Sequence, residues 1–565
     1  MGPEVVTIGL WKLTGLLVVL VAMAATGRAG QAQDLDSGLV GYWPLAGDCQ
    51  DCSTMGNHGV NHGIALDAGG RDGTAGTAAM FDGRDAHIEV PDSESLHLGA
   101  GDFAVSVWVK THDKLDDVIG SIISKYDPAL RKGFNLSINN HAGMTSSQSN
   151  YRNVHFGTDD ARIEPYWTDC GRPGNNIMIF SMVAHDGDLY VGTCEPGADE
   201  AGHLYRYEGG TRWFDCGSPD RSNAVSALAA YRGRLYVGTA CYKPTGSALP
   251  ESPNKTPGGH VYRYEGPGQW TDCGALPEAD TTYAMCVYRD ELYAIALYHP
   301  GVFRWDGTDK WTYCGTPGDQ RSMALAVYNG ALYSSGNGAA GVWRYEGGTQ
   351  WRFCGKQRDN TQTYAFAVYE GDMYVGTWPD GSVYRHEGGT DWTNCGRLGE
   401  EKEVMGMAIY NGKLYAGTLP LGQVYRYETD GDWTLTGQLD STADVMYRRV
   451  WTMAVYQGRL FAGTLPSGHV LSIEAGKSAT YDRELAPGWR HLAAVREGGK
   501  LKLYVDGQLV ATSSAFSPTD YDISNDRPLQ IGFGDHDYFN GSMCQLRIYT
   551  RALSDGDVKA LYAAE

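Results

Sequence analysis

MGMAIYNGKLYAGTLPLGQVYRYETDGDWTLTG, from Met405 to Gly437, recurs along the chain with its apolar residues and glycines in register. It reads as a short strand (MAIY), an Asn-Gly turn, a second strand (KLYAGT), a loop, a third strand (QVYRYE), a Gly-rich turn and a fourth strand opening at Trp433. Short alternating runs rich in Tyr, Val and Trp, joined by Asn-Gly or Gly-Gly, are the pattern of antiparallel hairpins whose tight turns need positive φ. The unit is therefore a four-stranded meander.

The position of Tyr410 is filled by His185, Tyr231, Tyr288, Tyr328, Tyr369 and Tyr456 in the other copies, and the fourth-strand Trp recurs at 167, 213, 270, 311, 351, 392 and 433. Both series count seven, and a period of about 40 to 50 residues with four strands per unit is that of propeller blades. The series are out of phase. PYWTDCG, from Pro165 to Gly171, precedes any first strand, while the last unit ends after its third strand, GHVLSIE. Pairing these two pieces would close a ring and hydrogen-bond an otherwise open sheet edge.

Lys12 is followed by an apolar run from Leu13 to Ala25 and by Gly30-Gln31-Ala32. That is the layout of a secretory signal over residues 1–33, with a membrane anchor as the alternative, since the apolar core is shorter than the ~20 residues of a span. No other stretch could span a membrane. A formal charge of −21, spread thinly, argues against nucleic acid as a partner, and 75 glycines with 11% aromatic residues suit turn-rich β structure. The expected location is secreted, periplasmic or cell-surface.

The flanks carry a second pattern. GLVGYWPLAGDCQDCSTMGNHG, FDG at Phe81 to Gly83 and FAVSVWVK at Phe103 to Lys110 precede the repeats, while PGWRHLAAVREGGKLKLYVDGQLV (Pro487 to Val510) and FNGSMCQLRIYTRALSDGDVKALY (Phe539 to Tyr562) follow them. These stretches resemble the opening and closing strands of a laminin-G-like jelly roll, the concanavalin A-like lectin/glucanase fold. The resemblance implies one jelly roll split by a propeller: residues 34–160, then a seven-bladed propeller of four-stranded blades over 161–476, then 477–565. The whole is expected to be all-β. A propeller can be inserted in this way because its circular closure brings its two ends together.

Six of the 12 cysteines (Cys170, Cys216, Cys273, Cys314, Cys354, Cys395) fill one slot in successive repeats, where Thr436 fills the seventh. Such positions lie too far apart for the ~5.5 Å Cα spacing of a disulfide, and a slot that takes Thr is a small packing site. Cys49 and Cys544, with Cys52 as the alternative to Cys49, fall on segments that pair in the resembled fold, where a bridge is expected. Cys194 and Cys241 follow second strands of neighbouring repeats and form a second candidate pair.

Loops after second strands and before first strands share one propeller face, where loops converge on the channel. Arg221, Arg321 and Arg449 there, with Tyr242, Tyr298 and Trp378, suit an acidic glycan, guanidinium forks taking carboxylate or sulfate and rings stacking on pyranose. The competing reading is that these arginines pair with loop carboxylates. Tyr298 and His299 are the candidate base and acid of a lyase. Asp51, Asn57 and Asp82, with Asp535 and Asp537 in GDHDYF, offer hard oxygens suited to calcium, against the reading that they are turn formers. The expected function is an exported or cell-surface carbohydrate- or protein-binding protein. The alternative is a secreted polysaccharide lyase or glycosidase with the jelly roll as its targeting module.

Overall fold

The computed structural model describes residue 2 and residues 34–141, 143–163 and 165–564. The expected signal segment, Gly2 apart, lies outside the described residues, and no described helix is long and apolar enough to cross a membrane. The regular structure of the described chain is almost all strand, apart from three short 3-10 turns and one closing α-helix, Asp555–Ala563, held by a capping box between Ser554 and Asp557.

Two sheets from the ends of the chain face each other. In one, the early strand Phe103–Thr111 lies between two late strands, Asn540–Tyr549 and Gly488–Glu497, and Ala75–Asp82 pairs with Asn540–Tyr549 from the other side. In the other, Leu529–Ile531 is inserted between His87–Val90 and Gly120–Asp127, and Lys477–Tyr481 completes the edge beside Asn153–Asp160. The core between them takes Trp43, Phe81, Phe103, Phe134 and Phe156 from before the repeats and Leu492, Leu503, Phe539 and Leu546 from after them. Neither half can bury its apolar face alone, because partners from the other half sit on both sides of its central strands.

Between these segments the chain runs through successive antiparallel meanders, for example Glu403–Tyr410, Lys413–Leu419, Gln423–Thr429 and Asp432–Gln438. Thr168–Asp169, ahead of the first complete meander, pairs antiparallel with Val470–Ile473 at the end of the last. Two series of bonds tie neighbouring meanders. The recurring tyrosine at the end of six of the first strands donates to a backbone carbonyl in the next first hairpin turn: Tyr231 to Asp290, Tyr288 to Gly330, Tyr328 to Gly371, Tyr369 to Gly412 and Tyr410 to Gly458. Tyr456 then returns to Gly187 in the first turn. On the outside, tryptophan Nε1 donates to the carbonyl of the preceding slot cysteine: Trp213 to Cys170, Trp311 to Cys273, Trp351 to Cys314, Trp392 to Cys354 and Trp433 to Cys395, at 2.8–3.0 Å. Trp167 instead reaches the Thr436 hydroxyl, the residue standing in for cysteine. Among the described residues Trp270 Nε1 has no such partner. The slot thiols themselves rest on the carbonyl two residues back, at 3.5–3.9 Å.

The first hairpin turns of the meanders hydrogen-bond to the sandwich; Asn411-Gly412 is buried against it, whereas Arg232-Gly233 and Arg289 stay exposed. Each turn offers the sandwich at least one amide: Gly187 to the Asp482 carbonyl, Gly233 to Glu484, Arg289 to the Leu115 carbonyl, Asn329 to Asp117, Gly371 to the His536 carbonyl, Gly412 to Asp535 and Gly458 to Thr480. The Asn411-Gly412 turn has positive φ at both residues, 44° and 85°, and a Cβ on Gly412 would stand 2.4 Å from the Tyr126 ring. Only glycine lets the turn approach so closely.

From the same side, the connection between Lys132–Asn139 and Asn153–Asp160 enters the space between the first strands. Ser147 and Gln148 pair in parallel with Leu228 and Ala229. Thr145 donates to the Met405 carbonyl, Ser146 to that of Phe180, and Gln148 and Asn150 accept from the Val287 and Val455 amides. This polar segment is buried because the first strands meet its hydrogen-bonding groups.

Candidate functional site

The turns at one end of the meander array bond to the sandwich, and the loops at the opposite end carry the expected site residues. Equivalent residues of six first strands meet there: Phe180, Tyr283, Met323, Tyr364, Met405 and Trp451 share one buried cluster with Tyr242. Phe180 stands edge-on to Tyr242, Tyr283 and Trp451 at 4.9, 5.8 and 5.3 Å between centroids.

The expected arginines are not equivalent. Arg449 is buried; its Nε lies 3.5 Å from Glu403 Oε1 and its Nη1 donates at 2.8 Å to Ser247 Oγ, which bonds the Tyr242 hydroxyl at 2.9 Å. Burial raises the Glu403 carboxyl, and the Arg449 charge opposes that rise. Glu403 opens its first strand as Arg449 opens the next, so the repeat alignment itself places the two in neighbouring slots. Arg449 thus has the carboxylate partner that the competing reading supposed. Glu403 is a site residue missed from sequence, although its shared slot with Arg449 was the available signal.

Arg321 is exposed and lies 5.6 Å from the Tyr298 ring centroid, and the Lys243 ammonium lies 4.4 Å from the same centroid. Among the described residues neither cation has a carboxylate within ion-pair distance. The Tyr298 hydroxyl accepts the Lys243 amide at 3.0 Å, and burial pushes its phenol above the usual range. That is the wrong direction for a base. His299 is exposed beside it. Trp378 and Tyr447 stand edge to face at 6.1 Å, both half-buried, with the Arg449 guanidinium 5.7 Å from the Tyr447 ring centroid. Arg221 is apart from this group, in a pocket lined by Glu195, Glu200 and Asp220.

Among the described residues, no three of Asp51, Asp82, Asp535 and Asp537 bring carboxylate oxygens within 4.8 Å of one another. Asp51 accepts the Tyr42, Ser53 and Asn57 amides; Asn57 bridges the Val40 carbonyl and Ser95; Asp82 caps its own turn at the Arg84 and Ala86 amides. Asp535 accepts from Gly412 and Ser121, and Asp537 from the Tyr538 amide. Asp92, His97 and Asp526 do converge, but the Lys125 ammonium sits 2.6 Å from Asp92 and already supplies a cation.

The expected Cys49–Cys544 bridge is not made in this structure. Cys49 packs between the sheets, whereas Cys544, between the core residues Met543 and Leu546, packs with Ala78 and Trp108 in a separate cluster. Burial pushes both thiols up to about 11. Cys52 is an exposed free thiol, and Cys194 and Cys241 are free and buried.

Residues 433–559 match the family model of the concanavalin A-like lectin/glucanases superfamily. The match begins at Trp433, upstream of the strand Lys477–Tyr481, and includes the late sandwich strands. The resemblance seen in the flanking motifs is thus supported for the second segment. No curated protein matches the sequence. Similar solved structures include a catalytically inactive virginiamycin B lyase from Staphylococcus aureus with quinupristin (8% identity, 55% of this chain and 99% of that one, TM-score 0.42). They also include the extracellular domain of a putative hybrid two-component system from B. thetaiotaomicron (15% identity, 55% and 39%, TM-score 0.40) and the WD40 β-propeller domain of Doa1 (10% identity, 55% and 96%, TM-score 0.36). A lectin/glucanase-like domain beside a propeller-like array fits a carbohydrate-binding or surface protein.

Proposed function

We propose that this is an extracellular recognition protein in which a closed seven-bladed propeller, residues 161–476, is inserted into a jelly roll formed by 34–160 and 477–565, and that it binds an acidic glycan at the loop face. The return of the tyrosine series to Gly187 and the pairing of Thr168–Asp169 with the last meander support the closure. The observation that carries the function is the pair of cations, Lys243 and Arg321, beside one face-presenting ring, Tyr298, with no carboxylate to pair them. Two like charges over one ring repel unless an anion joins them, and a uronate carboxylate or a sulfate would do so while Trp378 or Tyr447 stacks on the sugar.

Titration against a panel of acidic polysaccharides at low salt, where attraction is least screened, tests this. Arg321→Ala is expected to weaken binding by about 1.5–3 kcal/mol, the worth of a charged hydrogen bond, without changing the melting temperature. Arg449→Ala behaves differently. It leaves Glu403 buried and unpaired and is expected to destabilise the fold. A panel with no binder, or an Arg321→Ala protein that binds as well as wild type, refutes the reading.

A further inference from the structure

Two histidines face each other at one edge of the sandwich. Val60–His62 is the outermost strand of the seven-stranded sheet and pairs antiparallel with His87–Val90, which sets His62 directly opposite His87. Ile88 and Val90 enter the core, so strand alternation turns His87 outward. The two imidazoles stack with centroids 4.6 Å apart and planes 7° from parallel. Opposed residues of neighbouring strands thus bring two nitrogen ligands to one point of the surface.

His87 is held in the tautomer that metal ligation needs. Its Nδ1 lies 2.8 Å from the Asp85 carbonyl, which can only accept, so in the neutral ring Nδ1 carries the proton and Nε2 keeps its lone pair. The turn that presents this carbonyl is itself fixed, because Asp82 Oδ1 accepts the Arg84, Asp85 and Ala86 amides. Phe533 and Tyr538 flank the His87 ring at 5.8 and 5.6 Å between centroids. His62 is exposed. Four other histidines, His97, His203, His260 and His469, each stand within 3.3 Å of an aspartate, whereas among the described residues neither His62 nor His87 has a carboxylate at ion-pair distance. No third His, Cys, Asp or Glu among the described residues joins the pair with its ligand atom within 4.8 Å, which leaves the remaining coordination positions to water.

We propose that His62 and His87 bind one divalent transition-metal ion of the zinc, nickel or copper type, each through one ring nitrogen, Nε2 in the case of His87. Imidazole suits these ions, whereas calcium and magnesium take oxygen ligands. Two nitrogens bonded to one ion at ~2.1 Å stand roughly 3–3.5 Å apart, which a small tilt of the exposed His62 ring reaches from the stack. The proposal does not rest on the acidic-glycan reading, which uses Lys243 and Arg321. Calorimetric titration of the full chain with Ni²⁺, Zn²⁺ and Ca²⁺ tests it, repeated with Cys52→Ser because that exposed thiol can take a soft ion on its own. One site per chain in the micromolar range is expected for nickel and zinc, and none for calcium. His62→Ala and, independently, His87→Ala are expected to weaken it at least tenfold, and the double substitution no further than either, as a chelating pair requires. His97→Ala, beside Asp92 and Asp526, leaves it unchanged. Melting curves without metal report that each variant is folded. No saturable binding below millimolar nickel, binding that survives both histidine substitutions, or binding lost instead in His97→Ala or Cys52→Ser overturns the proposal.

Discussion

Replacing Arg152 by alanine is expected to cost at least about 3 kcal/mol of unfolding free energy, a large share of what a folded protein holds. Arg152 is 1% exposed, and its guanidinium donates to the Leu485 carbonyl at 2.7 Å, to the His112 carbonyl at 2.9 Å and to the Thr111 hydroxyl. The Leu485 amide in turn donates to the Arg152 carbonyl at 2.9 Å. One side chain thus ties the buried polar connection to an early strand and to the chain that returns after the repeats. Its removal leaves three acceptors without their donor and opens a cavity where a large side chain was. Denaturant unfolding followed by tryptophan fluorescence measures the loss. Arg152→Lys, which restores a charge but not the planar fork, should recover part of it. A midpoint unchanged in the alanine variant would mean that this junction does not bear on stability.

The second large effect is a loss of stability on the alkaline side of neutrality. Asp117 and Asp482, which receive the Asn329 and Gln457 amides at the covered face, are both nearly buried. Burial raises the Asp117 carboxyl well above its usual range and Asp482 to about 7. A carboxyl whose folded pKa exceeds its unfolded one holds its proton better in the native state, so its contribution is complete below the unfolded value and is lost as pH rises through the folded one. His141 and His155 act oppositely: burial lowers both to about 4, so their contribution grows as pH rises from about 4 to 6.5. The two effects offset each other on the acid side, and above about pH 6.5 only the carboxyl effect remains. The melting temperature is therefore expected to fall by about 2 °C between pH 6.5 and 8.5, the shift that about 3 kcal/mol gives in a chain of this length. Asp117→Asn, which keeps an acceptor for the Asn329 amide, should flatten that fall. A melting temperature independent of pH over this range would contradict the burial of these groups.

The tyrosine and tryptophan series were legible in the sequence because each is one bond repeated: a hydroxyl to a turn carbonyl, an indole to the carbonyl of a small residue. Repetition makes such a position stand out, and Thr436 opposite Trp167 shows what the cysteine slot requires, a small residue beside the indole. The split sandwich was legible from its strand motifs. The buried connection around Thr145 to Asn150 was not, since a polar stretch without periodicity reads as an exposed loop, and its burial depends on first strands far along the chain. Arg449 reads as a free cation only while Glu403, 46 residues earlier, is not placed beside it. The Cys49–Cys544 expectation failed on one detail: Gln545, at φ 54°, interrupts the strand's register and leaves Cys544 facing away from the inter-sheet core.

The sandwich, assembled from both ends of the chain, binds the turn face of the meander array and leaves the loop face open. Hydrogen–deuterium exchange of the intact protein tests this arrangement most directly. The amides of Gly187, Gly233, Arg289, Asn329, Gly371, Gly412 and Gly458 lie in hairpin turns, which exchange within seconds when solvated, yet each donates here to the sandwich. All seven are expected to exchange more slowly than the amides of Asp199 and His299 on the loop face, and the two buried ones, Gly412 and Gly458, as slowly as strand amides. Turn amides that exchange as quickly as those loops would contradict this arrangement.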